Sequence, residues 1–185
     1  MNIREILNLK VGGQWLVSPS AEETIFCREM FSEDHKDIEK MVLEFASDKI
    51  YPNLHKIESL DESLSRSIMK EMGGLGLIGV DAPEKYGGTE LDKITACIVT
   101  EGVGSSGSSS FGCTFGVQTG IGSLGIVFFG TEEQNSKYLP KLMSGEWIAA
   151  YGLTEPSSGS DALSAKTTAV LSEDGKHYIC LLYTS

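Results

Sequence analysis

A chain of 185 residues with 41% hydrophobic and 22% charged residues is long enough to bury a core, and its composition is that of one or two globular domains. Its 15 Lys and Arg against 26 Asp and Glu give a net charge of −11. No basic field is left to neutralise phosphates, which argues against nucleic acid or an anionic membrane as partner, although a small anionic ligand needs only a few local donors.

Residues 1–31 mix apolar and polar side chains without a sustained period and read as an extension with at most short helical pieces. The start Met1-Asn2-Ile3-Arg4-Glu5 carries charges where a secretory segment needs an apolar run, so a reducing, cytoplasmic setting is expected. Ser32 is placed to cap a helix, with Glu33 and Asp34 in its first turn. Ile38, Met41, Val42, Phe45, Ala46 and Ile50 then recur at helical spacing until Pro52. Asp61 caps a second helix that carries Leu64, Ile68 and Met72 and stops at Gly73-Gly74. A third opens at Asp92 with Ile94, Cys97 and Ile98 on its apolar side, which makes Cys97 a small core residue.

From Gly102 to Thr131 the chain is uncharged and long enough to raise the question of a membrane span, but half of it is Gly or Ser. A stretch so polar is expected to form a pair of small-residue helices inside a domain, with no transmembrane segment; its small residues also leave room for a ligand against the backbone. Thr131 and Gln134 have the spacing of a capping box for a further helix, limited by Pro140 and followed by Gly145. Trp147-Ile148-Ala149-Ala150-Tyr151 is a short apolar run suited to a buried strand. Asp174-Gly175, between Thr167–Leu171 and His177–Ile179, is a hairpin signal. The expected organisation is an extension over 1–31, a helical domain over 32–146 and a β segment over 147–185.

Cys27, Cys97, Cys113 and Cys180 form no C-x-x-C pair, and His35, His55 and His177 form no H-E-x-x-H, so no metal ligands are assigned. Three segments match G-x-G-x-x-G, at Gly74 to Gly79, Gly102 to Gly107 and Gly120 to Gly125. A dinucleotide site requires a strand before the glycines and a helix after them; none of the three has that setting. The informative stretch is Tyr151-Gly152-Leu153-Thr154-Glu155-Pro156-Ser157-Ser158-Gly159-Ser160-Asp161, where an apolar run opens into a loop of hydroxyls and glycine. Pro156 stiffens its turn, Asp161 is placed to accept backbone amides, and Gly159 with Ser160 offers a workable phosphate cradle. An ordinary surface loop has the same composition.

That stretch resembles the acyl-CoA dehydrogenase family, in which Leu-Thr-Glu-Pro is followed by Gly-Ser-Asp. Leu75-Gly76-Leu77 with Pro83-Glu84-Lys85-Tyr86-Gly87-Gly88, and Phe129-Gly130-Thr131-Glu132-Glu133-Gln134 with Lys137-Tyr138-Leu139-Pro140-Lys141-Leu142, resemble the same family in the same order. The resemblance implies an α+β fold: an all-helical N-terminal domain, then the first strands of a β-barrel-like middle domain, with a C-terminal helical bundle beyond this chain. It implies FAD as cofactor, a fatty acyl-CoA as substrate, α,β-dehydrogenation in fatty acid β-oxidation, an electron-transfer flavoprotein as acceptor and a homo-oligomer. By position, Tyr151, Gly152, Leu153 and Thr154 would lie along the flavin ring, with Thr154 donating toward it. Gly159 and Ser160 would meet the FAD pyrophosphate, and Ser160 the acyl-CoA as well. Glu155 and Asp161 are expected to turn away from those phosphates and brace the loop. Phe111, Phe115, Val117 and Leu124 would border the acyl chain.

The extension and Ala149-Ala150-Tyr151 are most similar to the members that act on long and very long chains. No catalytic residue is assigned, because the family's carboxylate base falls in the C-terminal part. After Ile179 the pattern is lost, so residues 180–185 are expected to be foreign to a truncated chain that is inactive by itself. The rival readings are an acyl-CoA oxidase, with the same fold and flavin, and a non-catalytic helical binding or assembly module.

Overall fold

A computed structural model describes residues 26–181. Most of the expected extension and Leu182–Ser185 lie outside the described residues. Among the described residues, seven α-helices come first: α1 (Glu33–Phe45), α2 (Leu54–Glu58), α3 (Glu62–Gly74), α4 (Lys93–Gly104), α5 (Ser109–Thr119), α6 (Leu124–Phe129) and α7 (Glu132–Met143). Two strands follow, β1 (Thr168–Leu171) and β2 (Tyr178–Leu181), paired antiparallel. The expected order, helices first and strands after, is the observed one.

The expected helix starts are built by the side chains that signalled them. Ser32 Oγ accepts the His35 amide at 3.1 Å while His35 Nδ1 accepts the Ser32 amide at 3.3 Å, a capping box in which histidine takes the place of Glu or Gln. Asp61 accepts the Leu64 amide, and Asp92 the Thr95 amide at 2.8 Å. Thr131 and Gln134 close their box at 2.8 and 3.2 Å. Past Phe45 the first helix widens into a π-helical turn, Ala46–Ile50, where the Tyr51 amide reaches back to Ala46 O. The wider turn keeps Ala46 and Ile50 both buried.

Two clusters form the core. Val42, Met69, Met72, Val99, Phe111 and Phe115 join α1, α3, α4 and α5. Ala82, Tyr86, Leu139, Leu142 and Met143 join α7 to the loop before α4. Each fully buried side chain of this size stabilises the fold by about 1.5–3 kcal/mol. Gly102 shows what one of the rejected glycine motifs does: a Cβ there would lie 2.4 Å from Val42 Cγ1, so the glycine permits α1 and α4 to approach. Gly145 has φ +70, and a Cβ on it would lie 2.6 Å from Met69 O, so the turn after α7 closes against α3 only without a side chain.

The uncharged stretch does form two helices, but only α5 is rich in small residues; α6, Leu-Gly-Ile-Val-Phe-Phe, has one glycine and no buried residue. Read as one segment, Ser109–Phe129 has 21 residues and a mean hydropathy of 1.4, enough by length and composition for a membrane span. The backbone turns at Gly120, however, and divides it into helices of 11 and 6 residues.

Four expectations are corrected. Cys97 is exposed and Ile94 half-buried, because the inward face of α4 is carried by Thr95, Ile98, Val99, Gly102 and Val103, one step around the helix. Pro140 lies inside α7 rather than limiting it; the ring's fixed φ suits a helix, a single backbone hydrogen bond is lost, and buried Leu139, Leu142 and Met143 hold the following turn. Trp147–Tyr151 is not a buried strand: it has no partner strand among the described residues, and Trp147 and Tyr151 are 39% and 54% exposed. Asp161 does not gather backbone amides, since its carboxylate accepts the Ser164 hydroxyl instead.

The hairpin forms with Thr168 opposite Leu181 and Val170 opposite Ile179, around Gly175 at φ +68. Cys180 pairs with Ala169, so the ladder runs two residues past the expected strand end, into the segment expected to be foreign.

Candidate functional site

The loop after α7 is built from a short turn. Glu155 N donates to Ser158 O at 2.9 Å and Ser158 N to Glu155 O at 3.1 Å, placing Pro156 and Ser157 at the tip. Proline suits that place because its φ is already set and its missing N–H is not called on. Ser158 is buried, and its hydroxyl donates to Asp161 O at 2.6 Å. The turn folds the chain back on itself, so Thr154 and Gly159 are the next residues on its two arms. The two groups of residues singled out in the sequence, Tyr151 to Thr154 and Gly159 with Ser160, thereby flank one turn.

All six are exposed. Among the described residues, no N–H or C=O of Tyr151, Gly152, Leu153 or Thr154 has a partner in the chain. A Cβ placed on Gly152 or Gly159 would meet nothing within 4 Å. The arrangement therefore presents backbone donors and acceptors and two side-chain-free positions to an open face, which suits a flat, hydrogen-bonding ring and a phosphate.

The acidic residues of the loop face elsewhere. Glu155 Oε1 accepts the Thr167 amide at 2.9 Å and Oε2 the Lys166 amide at 2.7 Å. Thr167 and the Lys166 amide hold its carboxyl below the usual range, so the group is ionised and engaged within the protein. Asp161 is turned to the Ser164 hydroxyl. Neither carboxylate is spent on the open face.

The segment leading to this loop is held by a residue the sequence reading missed. Gln118, fully buried on α5, donates through Nε2 to Leu142 O at 2.7 Å and Trp147 O at 3.0 Å, and accepts the Ala149 amide on Oε1 at 2.6 Å. Its signal was a polar residue on the face carrying Phe111 and Phe115, at helical spacing. Beside the same segment lies an open cavity of about 430 Å³ lined by Gly122, Ile126, Tyr138, Trp147 and Ala150. The four residues proposed for an acyl chain do not share one cavity. Phe115 and Leu124 line a mostly apolar space of about 200 Å³ with Leu77 and Val99, Phe111 lines another with Ile57, and Val117 lines neither.

Residues 32–146 match the family model of the acyl-CoA dehydrogenase N-terminal domain. The chain is 46% identical over 176 residues to a probable acyl-CoA dehydrogenase of Bacillus subtilis (strain 168), covering 95% of this chain and 29% of that protein. It superposes with a TM-score of 0.80 and 47% identity on an acyl-CoA dehydrogenase of Bacillus anthracis solved in complex with FAD, over 84% of this chain and 26% of that one. A chain in the structure of an electron transferring flavoprotein of Acidaminococcus fermentans is 34% identical, with a TM-score of 0.70, over 85% and 40% of the two chains. The chain belongs to the acyl-CoA dehydrogenase family. It spans between 29% and 36% of the length of two Bacillus subtilis relatives.

Proposed function

We propose that this chain supplies the helical N-terminal domain, residues 32–146, and the opening of the middle domain of an FAD-dependent acyl-CoA dehydrogenase. The observation that carries the reading is the Tyr151–Thr154 segment, whose backbone groups have no partner among the described residues and which stands beside a turn whose carboxylates face away. Tyr151, Gly152, Leu153 and Thr154 wall the flavin ring, and the Thr154 hydroxyl donates toward it. Gly159 and Ser160 receive the pyrophosphate, where a glycine lets backbone amides come close and where the inward-turned Glu155 adds no opposing charge. Ser160 also meets the acyl-CoA.

FAD, when bound, would supply the electron sink for α,β-dehydrogenation of the acyl-CoA, the acceptor for a β-hydride whose loss is matched by loss of the α-proton to a base. The residues of this chain orient the two reactants; none of them is assigned as the base. The open cavity lined by Gly122 and Ile126 beside Ala150 gives an alkyl chain an apolar wall next to the flavin segment. The substrate is a fatty acyl-CoA of the longer kind used in β-oxidation, the acceptor an electron-transfer flavoprotein, and the full-length form a homo-oligomer.

The test is turnover by the full-length protein that carries this sequence, with acyl-CoA and either electron-transfer flavoprotein or oxygen as acceptor. Enoyl-CoA formation with electrons passed to the flavoprotein is expected. Peroxide as the main product would identify an oxidase, and a stable protein that binds neither FAD nor acyl-CoA would identify a binding module.

A further inference from the structure

Gln118 uses its side chain in a way that general packing does not require. A buried amide needs partners, and any nearby groups would serve. Here all three hydrogen bonds go to backbone groups, two of them on the strip between α7 and the flavin segment. Both amide hydrogens face carbonyls and the amide oxygen faces an N–H, so a single orientation of the side chain satisfies all three. Side-chain packing also holds the strip: Ala149 packs on the second core cluster, and the Trp147 ring meets Tyr138 and the Lys141 ammonium. The Trp147 amide donates to Lys141 O at 2.9 Å, and Ile148 packs on the larger core cluster. No strand lies beside it among the described residues. Gln118 therefore stands in for a neighbouring strand, with one donor and one acceptor supplied to the strip from a helix and its second donor on α7. Its own carbonyl accepts the Ser123 hydroxyl, which ties the end of α5 to the start of α6.

We infer that Gln118 is a positioning residue for the flavin site: through Trp147 O and the Ala149 amide it fixes the strip whose next residues are Tyr151 to Thr154. This rests on the reading of Tyr151–Thr154 as the flavin wall. Gln118 touches neither flavin nor substrate on this account and acts only through the backbone two residues ahead of the wall.

The test uses the full-length, FAD-loaded protein and compares it with Gln118→Met, which keeps size and loses every polar contact, and Gln118→Glu, which keeps the acceptor for Ala149. Amide hydrogen exchange over 147–154 and visible circular dichroism of the bound flavin are the readouts; a purely structural residue would lower stability without altering the flavin's dichroism. In Gln118→Met, exchange at Ala149 is expected to rise about tenfold or more, as for a lost buried hydrogen bond, with a changed flavin dichroism. Gln118→Glu is expected to retain more of the Ala149 protection than Gln118→Met. Wild-type exchange at Ala149 and an unchanged flavin dichroism in Gln118→Met would overturn the proposal while leaving the flavin reading intact.

If FAD gives no protection to 151–154 in the wild-type protein, the flavin reading fails and the positioning role goes with it. Should Gln118→Met not fold, the wild-type protein decides. The Gln118 side-chain amide protons are expected to exchange slowly and to shift in NMR when FAD is added, and fast exchange or an unmoved signal would overturn the proposal.

Discussion

Glu155 Oε2 accepts the Lys166 amide at 2.7 Å, eleven residues along the chain, and Oε1 accepts the neighbouring Thr167 amide. One carboxylate thus closes the base of the loop that carries Gly159 and Ser160. Its folded-state pKa is depressed, by Thr167 first and then by the Lys166 amide. The closure is therefore complete above the ordinary Glu pKa of about 4.3 and is lost as pH falls through the lower folded value. Exchange of the Lys166 and Thr167 amides, corrected for its intrinsic pH dependence, should rise only at that acid end. Glu155→Ala should expose both amides at every pH, and a wild-type profile in that variant would contradict the role.

Gly145→Ala should destabilise the 185-residue chain by at least about 2 kcal/mol, since the residue would be forced to positive φ and into the Met69 carbonyl. A urea midpoint equal to wild type would show that the α3–α7 contact is not as close as described.

Asp92 caps α4 with Oδ1 and meets His35 Nε2 at 3.1 Å with Oδ2, so it joins the first turns of α1 and α4. Replacement by alanine should cost about 1–2 kcal/mol, read from urea unfolding, and by asparagine less, because the cap is kept. Burial pushes the carboxyl up, but the Thr95 amide and His35 outweigh it and the net shift is downward. The cap's contribution is accordingly present above the usual Asp range and lost as pH falls through the lower folded value. An equal loss in D92A and D92N would assign the effect to the His35 contact instead.

Ser160→Ala in the full-length protein should raise the dissociation constant for FAD about tenfold or more, in line with about 1.5–3 kcal/mol for one hydrogen bond to a charged phosphate oxygen. Unchanged affinity would remove Ser160 from the pyrophosphate site.

Helix starts were legible because one side chain decides each of them: Ser32, Asp61, Asp92 and Thr131 each cap where their spacing says they should. The hairpin was legible for the same reason, a local demand for positive φ met at Gly175. Burial was harder to read. Cys97 and Val99 are both apolar and two residues apart, and only the position of α1 decides that Val99 faces inward. The Trp147–Tyr151 run has the composition of a strand, but a strand is defined by its partner, and the partner here is the Gln118 amide. Gln118 shares a helical face with Phe111 and Phe115, which signals its burial, but its partners have no local signature: they lie 24 to 31 residues away. The loop residues 151–160 were singled out only through their resemblance to a family, since hydroxyls, glycine and proline make up most turns.

On the function proposed above, residues 151–160 form one wall of a flavin site that serves acyl-CoA oxidation. The most direct test of that function is to add a long-chain acyl-CoA, without oxygen, to the FAD-loaded full-length protein and to follow the absorbance of the oxidised flavin. Rapid bleaching is predicted, reversed when electron-transfer flavoprotein is supplied. A protein that retains FAD but keeps its oxidised spectrum with acyl-CoA of every chain length, or one that holds no flavin at all, would contradict it.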